Sequence, residues 1–118
     1  MIVMVFEFEV EPREYEAYLE EAGELRRWLA QSEGFLSVER FESQTTEGRF
    51  VAIGYFQDED AVARWRNLPA HRSAQTLGRH RFFTRYRLVM AQALRDYTHT
   101  LRATAPDDSR QVHDSEGA

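Results

Sequence analysis

The chain has 118 residues, one domain's worth, and all 15 of its basic residues are arginines, with no lysine and no cysteine. A Schiff-base lysine, a P-loop lysine and a cysteine nucleophile are thereby excluded, as are disulfides, thiolate zinc sites and iron–sulfur clusters. With 42% hydrophobic and 13% aromatic residues the chain can build a core, and its net charge of -5 disfavours bulk binding to nucleic acid or an anionic membrane.

Residues 2–10 alternate, with Ile2, Met4, Phe6, Phe8 and Val10 on one face and Val3, Val5, Glu7 and Glu9 on the other. That period of two predicts a strand whose second face is apolar at its start. Pro12 stands where a first helical turn tolerates proline. Tyr15, Tyr18, Leu19, Ala22, Leu25, Trp28 and Leu29 then recur at helical spacing, and Gly34 is expected to end that helix as a left-handed cap. Strands follow at about 35–43 and about 49–57, joined through Gln44-Thr45-Thr46-Glu47-Gly48 as a hairpin. Asp58 is placed to cap a second helix, with Glu59 and Asp60 in its first turn and Ala61, Val62 and Trp65 as its buried stripe. Pro69 interrupts it, and a further helical stretch runs to Gly78. Residues 82–94 alternate again, with Tyr86, Leu88 and Met90 on one face and Arg85, Arg87 and Val89 on the other. Residues 98–118, which contain Pro106-Asp107-Asp108-Ser109 and end Ser115-Glu116-Gly117-Ala118, read as a polar tail, either mobile or packed on a partner.

The order β-α-β-β-α-β over residues 1–97 is the ferredoxin-like arrangement: an α+β domain with a four-stranded antiparallel sheet and two helices on one face. First and last strands are then antiparallel neighbours, which sets Glu7 and Glu9 across from Arg85 and Arg87. The face away from the helices carries Val3, Val5, Val51, Ile53, Tyr55 and Val89. A second copy packing sheet to sheet is the economical cover, so a homodimer is expected. The N-terminus starts directly in a strand pattern without a basic leader, and no apolar run approaches the roughly 20 residues of a membrane span. A cytoplasmic protein with no membrane or nucleic-acid partner is expected.

Charge is unevenly placed. Residues 1–60 hold 15 acids and 5 arginines, residues 61–95 hold 8 arginines and no acid, and residues 96–118 hold 5 acids and 2 arginines. The basic third either pairs with acids of the first half or forms a pocket for an anionic ligand.

Glu33-Gly34-Phe35, the segment from Tyr55 to Arg66 and the run Ala70-His71-Arg72-Ser73-Ala74-Gln75 resemble the antibiotic biosynthesis monooxygenase domain, a dimeric α/β-barrel fold, over nearly all of residues 1–97. The resemblance implies a small monooxygenase that oxidises phenols or quinols with oxygen and holds no cofactor. In that chemistry a deprotonated ring donates an electron to oxygen directly. The protein supplies a dry aromatic pocket, a base and donors for an oxyanion. A non-catalytic dimeric module binding a small aromatic or anionic molecule is the second reading. A haem-degrading protein is the third: Trp65 fits that branch, but Gln75 stands where it has an iron-ligating histidine, and the first strand has no asparagine.

His71 is the candidate proton-transfer residue, because an imidazole titrates near neutrality; the alternative is a locally bonded histidine at a helix start. Arg72 is the candidate for holding an anionic oxygen, or else pairs with an acid of the first helix. Trp65, Gln75 and Tyr86 are candidates for lining the ligand pocket, with a plain core role as the alternative for Trp65. On one helix, His71, Gln75 and Arg79 share a face. Arg79, His80 and Arg81 read as solvated or tail-pairing, Tyr15, Tyr18 and Trp28 as first-helix core, and His99 and His113 as solvated surface. No metal-ligand spacing is present, and Ser73 beside His71 does not by itself make a triad.

Overall fold

The computed structural model describes residues 1–114, so the terminal Ser115-Glu116-Gly117-Ala118 lies outside the described residues. Four strands, β1 (Ile2–Val10), β2 (Phe35–Glu42), β3 (Arg49–Phe56) and β4 (Phe83–Gln92), form one antiparallel sheet in the order β2-β3-β1-β4. This is the ferredoxin-like order. β1 takes the centre because it is apolar along one whole face and along half of the other. Three helices, α1 (Tyr15–Ala30), α2 (Glu59–Arg66) and α3 (Pro69–Leu77), follow the strands in the expected places, the last two separated by Pro69. A single 3-10 turn, Pro12–Glu14, leads into α1, and one wider π-type turn, Gly78–Phe82, leads from α3 into β4.

Local chemistry accounts for most of these boundaries. The Asp58 carboxylate accepts the Ala61 N–H at 2.8 Å, which satisfies an otherwise orphaned donor at the start of α2. Ser43 Oγ accepts the Thr45 and Thr46 N–H groups at 3.3 and 3.1 Å and closes the β2–β3 hairpin. Gly34 differs from expectation. The helix closes on right-handed Gln31, and Gly34, three residues later, takes φ 84° in the turn into β2. A Cβ at Gly34 would stand 2.6 Å from the Cβ of Ala61, so the position is fixed by conformation and by space.

The helix-covered face carries two core clusters. Ile2, Leu29, Phe56, Ala61 and Trp65 form one, with Met4 and Leu25 packed against it. Phe8, Val10 and Phe50 form the other, with Phe6, Tyr15, Tyr18 and Phe83 around it. Burial raises the Tyr18 pKa, opposed by the hydrogen bond from Arg40 at 3.4 Å. Trp28 is half-exposed, not core: Leu25 and Leu29 define the buried stripe of α1, and Trp28 sits on its margin.

On the far face, Glu7 registers with Arg87 and Glu9 with Arg85, as expected. Glu7 accepts from Arg49 at 3.3 Å and meets Arg87 at 3.7 Å, whereas Arg85 reaches no carboxylate among the described residues. Arg81 pairs with Glu14 at 2.7 Å, an acid of the first half and not of the tail. Of the eight arginines in 61–95, Arg81 and Arg87 therefore find acids among the described residues.

Beyond β4 the chain forms an arm, 93–114, ending in a short helix, α4 (Asp107–His113), that the sequence pattern did not indicate. The arm is organised internally. Arg102 bonds Asp114 and lies over the Tyr97 ring, Arg110 meets Asp114 at 3.5 Å, and Thr104 Oγ1 donates to the Asp96 carbonyl at 2.7 Å. No helix among the described residues is long and apolar enough to cross a membrane.

Candidate functional site

The site is built at the break between α2 and α3. In a continuous helix the Trp65 carbonyl would accept the N–H of residue 69, but Pro69 has none. That carbonyl instead accepts from the Leu68 N–H at 3.2 Å and from His71 Nδ1 at 3.1 Å. A carbonyl can only accept, so Nδ1 carries the proton and Nε2 presents a lone pair. The imidazole also lies flat on the Trp65 indole, with ring centroids 4.1 Å apart and planes 16° apart. Burial lowers the His71 pKa; the bond to Trp65 opposes this and neighbouring Arg72 adds to it. His71 also stands in the first turn of α3, where the helix dipole disfavours a cation. The result is a neutral, oriented imidazole with one free basic nitrogen.

Arg72 is not brought to that nitrogen. Consecutive helical residues point about 100° apart, and Arg72 donates to Gln75 Oε1 at 3.0 Å and to Asn67 Oδ1 at 2.6 Å. It acts as a clamp across the α2–α3 break. Asn67 is the residue that sequence reasoning missed; its signal was its place just before Leu68-Pro69, where a helix must end. Gln75 shares the face of His71 but spends its amide oxygen on Arg72. Arg79 leaves that face, because the π-type turn at Gly78–Phe82 breaks the helical spacing. Ser73 is exposed and makes no bond to His71.

Tyr86 belongs to the other cluster, with its ring 6.0 Å from Phe6 and 6.2 Å from Phe83. Trp65 and Tyr86 therefore stand at opposite ends of one face. The strand between them links the two ends: Met90 registers with Met4, which packs on the Trp65 cluster, and Leu88 registers with Phe6. Four residues of strand separate Tyr86 from Met90, about 13 Å. Tyr86, Leu88 and Met90 are 49%, 54% and 40% exposed, although they lie on the side of the sheet that the helices cover elsewhere. The helices thus leave an apolar strip of β4 bare. Two shallow concavities, of about 170 and 200 Å3, lie instead around Glu7 and Arg49 on the opposite face; Tyr86 borders one and His71 neither. Charged side chains line both, and among them Arg49 and Arg87 pair with Glu7. Among the described residues no three His, Asp or Glu side chains converge as metal ligands.

Comparison with known proteins adds to this geometry. The family model of antibiotic biosynthesis monooxygenases matches residues 1–77. A curated protein of Pyricularia oryzae, called jasmonate monooxygenase ABM, is 32% identical over 92 residues, which cover 78% of this chain and 43% of that protein. The chain thus spans less than half the length of that relative. Among solved structures, SnoaB of Streptomyces nogalater, described as a cofactor-independent oxygenase, superposes with TM-score 0.70 at 20% identity, covering 80% of this chain and 94% of its own. Rv0793 of Mycobacterium tuberculosis superposes with TM-score 0.72 at 16% identity, covering 82% and 98%. Those two likenesses establish the fold, and the family match with the curated relative goes further: this chain belongs to the antibiotic biosynthesis monooxygenase family.

Proposed function

We propose that the protein is a homodimeric, cofactor-independent monooxygenase acting on a phenol- or quinol-type aromatic compound, with His71 as its base. The observation that carries this reading is the Nδ1–H bond from His71 to the Trp65 carbonyl, which leaves Nε2 as a free proton acceptor on a ring stacked against tryptophan. A planar phenol seated along Leu88 and Met90, between Trp65 and Tyr86, would meet apolar and aromatic walls and one base. Nε2 takes the phenolic proton, and the resulting phenolate is electron-rich enough to reduce oxygen. A phenol with a free para position becomes a para-quinone: one oxygen atom enters the ring, the other leaves as water, and all four electrons come from the substrate. Arg72 serves as a positioning residue that holds the start of α3 through Asn67 and Gln75.

Oxygen uptake with a panel of hydroquinones and naphthols tests the proposal. The expected result is consumption above background with at least one compound and a loss of about 10²–10⁴-fold in His71→Ala. No uptake with any compound, or unchanged turnover in His71→Ala, would overturn it.

A further inference from the structure

We propose that Gln75 is a specificity-determining donor of the candidate site, and that the aromatic substrate carries a carboxylate meta to the hydroxyl that His71 deprotonates. The inference rests on the phenol-binding reading above and narrows its substrate class to a hydroxyaryl acid.

The amide of Gln75 is oriented by its neighbour. A guanidinium only donates, so the atom that Arg72 Nη1 meets at 3.0 Å is the Gln75 oxygen. The Nε2H2 end is left at the other side of the amide, where it meets no acceptor among the described residues. Asn67 differs. Its Oδ1 accepts from the same guanidinium at 2.6 Å, but its Nδ2 donates to the Ala63 carbonyl at 2.9 Å. Of the two amides that Arg72 clamps, Gln75 is the one that keeps a donor pair to offer.

Position puts that donor beside the base. His71, Gln75 and Gly78 follow one another at i, i+4 and i+7, a single face of α3 and its end. One end of this face lies on Trp65 through the imidazole stack. The other lies against Phe83, since a Cβ at Gly78 would stand 2.6 Å from that ring, and Phe83 is 6.2 Å from Tyr86. Over its seven residues, about 10 Å, the face thus runs between the same two aromatic ends as the strip of β4. Gln75 stands on it one turn, about 6 Å, beyond His71, and is half-buried where Arg72 and Ser73 are exposed. An acceptor on the ring carbon next to the hydroxyl lies too close to that hydroxyl to serve both side chains. The para carbon must stay open for oxygen. The meta carbon remains.

Charge selects a carboxylate over a neutral carbonyl. Both oxygens held by Arg72 belong to neutral amides, and Arg72 forms no ion pair among the described residues, so its charge is uncancelled. Seated on the amide oxygen, that charge polarises Gln75 and strengthens the N–H donors at the other end. Residues 61–95 hold no acid to repel an anion. An ionised acceptor forms hydrogen bonds roughly twice as strong as a neutral one.

Calorimetric titration at about pH 7.5, where a carboxylic acid is ionised, tests the assignment without oxygen and so without turnover. The probes are 3-hydroxybenzoate, 2-hydroxybenzoate and 3-methylphenol. The expected result is 3-hydroxybenzoate binding at least about tenfold tighter than 3-methylphenol, with no such preference for 2-hydroxybenzoate. Gln75→Leu should remove the preference while moving the 3-methylphenol affinity by less than about threefold. Gln75→Glu keeps an oxygen for Arg72, and so the clamp, but should reverse the preference. Equal affinities in the unsubstituted protein, equal gain with 2-hydroxybenzoate, or a preference that survives both substitutions would overturn the proposal. No binding of any probe would overturn it together with the site reading beneath it. Failure of oxygen uptake with the Gln75-dependent preference intact would strike the catalytic reading and leave this assignment standing.

Discussion

At the scale of single residues, the pairing of His71 with Trp65 governs behaviour with pH. The folded protein holds a neutral imidazole whose pKa lies below its ordinary 6.5, mainly through burial. Between those two values the unfolded chain binds more protons than the folded one, so stability falls as pH drops through that window and recovers as pH rises. His71→Phe should flatten this dependence; urea melts of both proteins at about pH 7.5 and about pH 5.5 measure the difference. An unchanged slope would mean that His71 is not buried neutral. The stack offers a direct readout as well. An imidazolium quenches indole emission, so Trp65 fluorescence should fall as His71 protonates, over a background from exposed Trp28. The sequence could name His71 and Trp65 because their residue types are chemically distinctive. It could not tell that Arg72 turns away. That depends on where α3 starts after Pro69, and on Asn67 and Gln75 being within reach of one guanidinium.

Elements rest on a few short-range contacts, and these are testable one at a time. Asp58→Ala removes the carboxylate that caps α2 and should cost about 1 kcal/mol. Gly34→Ala sets a Cβ against Ala61 at a positive φ and should cost about 1–3 kcal/mol. Thermal or chemical melts check both, and a neutral Gly34→Ala would mean that the turn relaxes freely. The strands and the first three helices were legible because each declares its own period, and Asp58 and Pro69 mark ends by local chemistry. The role of Gly34 was read only halfway. Its left-handed conformation follows from residue type, but its close approach to Ala61 joins residues 27 apart in the chain. The helix of the arm escaped notice because its seven residues show no apolar stripe, and its bonds to Arg102 come from earlier in the arm.

For the whole molecule, the apolar half of the far sheet face bears on assembly. Ile53→Asp places a carboxylate among Val3, Val5, Val51 and Val89, and should yield monomers by light scattering if sheets pack face to face. An unchanged mass would place the dimer contact elsewhere. Composition and strand order could indicate that this face needs a cover, since the count of helices leaves none to spare. They could not locate the second bare surface on β4, because its exposure arises from how far the helices reach across the sheet. The central place of β1 carries a consequence for biosynthesis. Ile2 anchors one core cluster and Phe8 the other, yet Phe8 pairs with Phe50 on one side and Tyr86 on the other. Within this domain β1 must therefore wait for β4 before its second edge is paired. Nascent chains ending before Phe83 are expected to lack a stable sheet, and refolding should be slow for a domain of this size, because β1 pairs on both sides with strands far from it in sequence, β3 and β4.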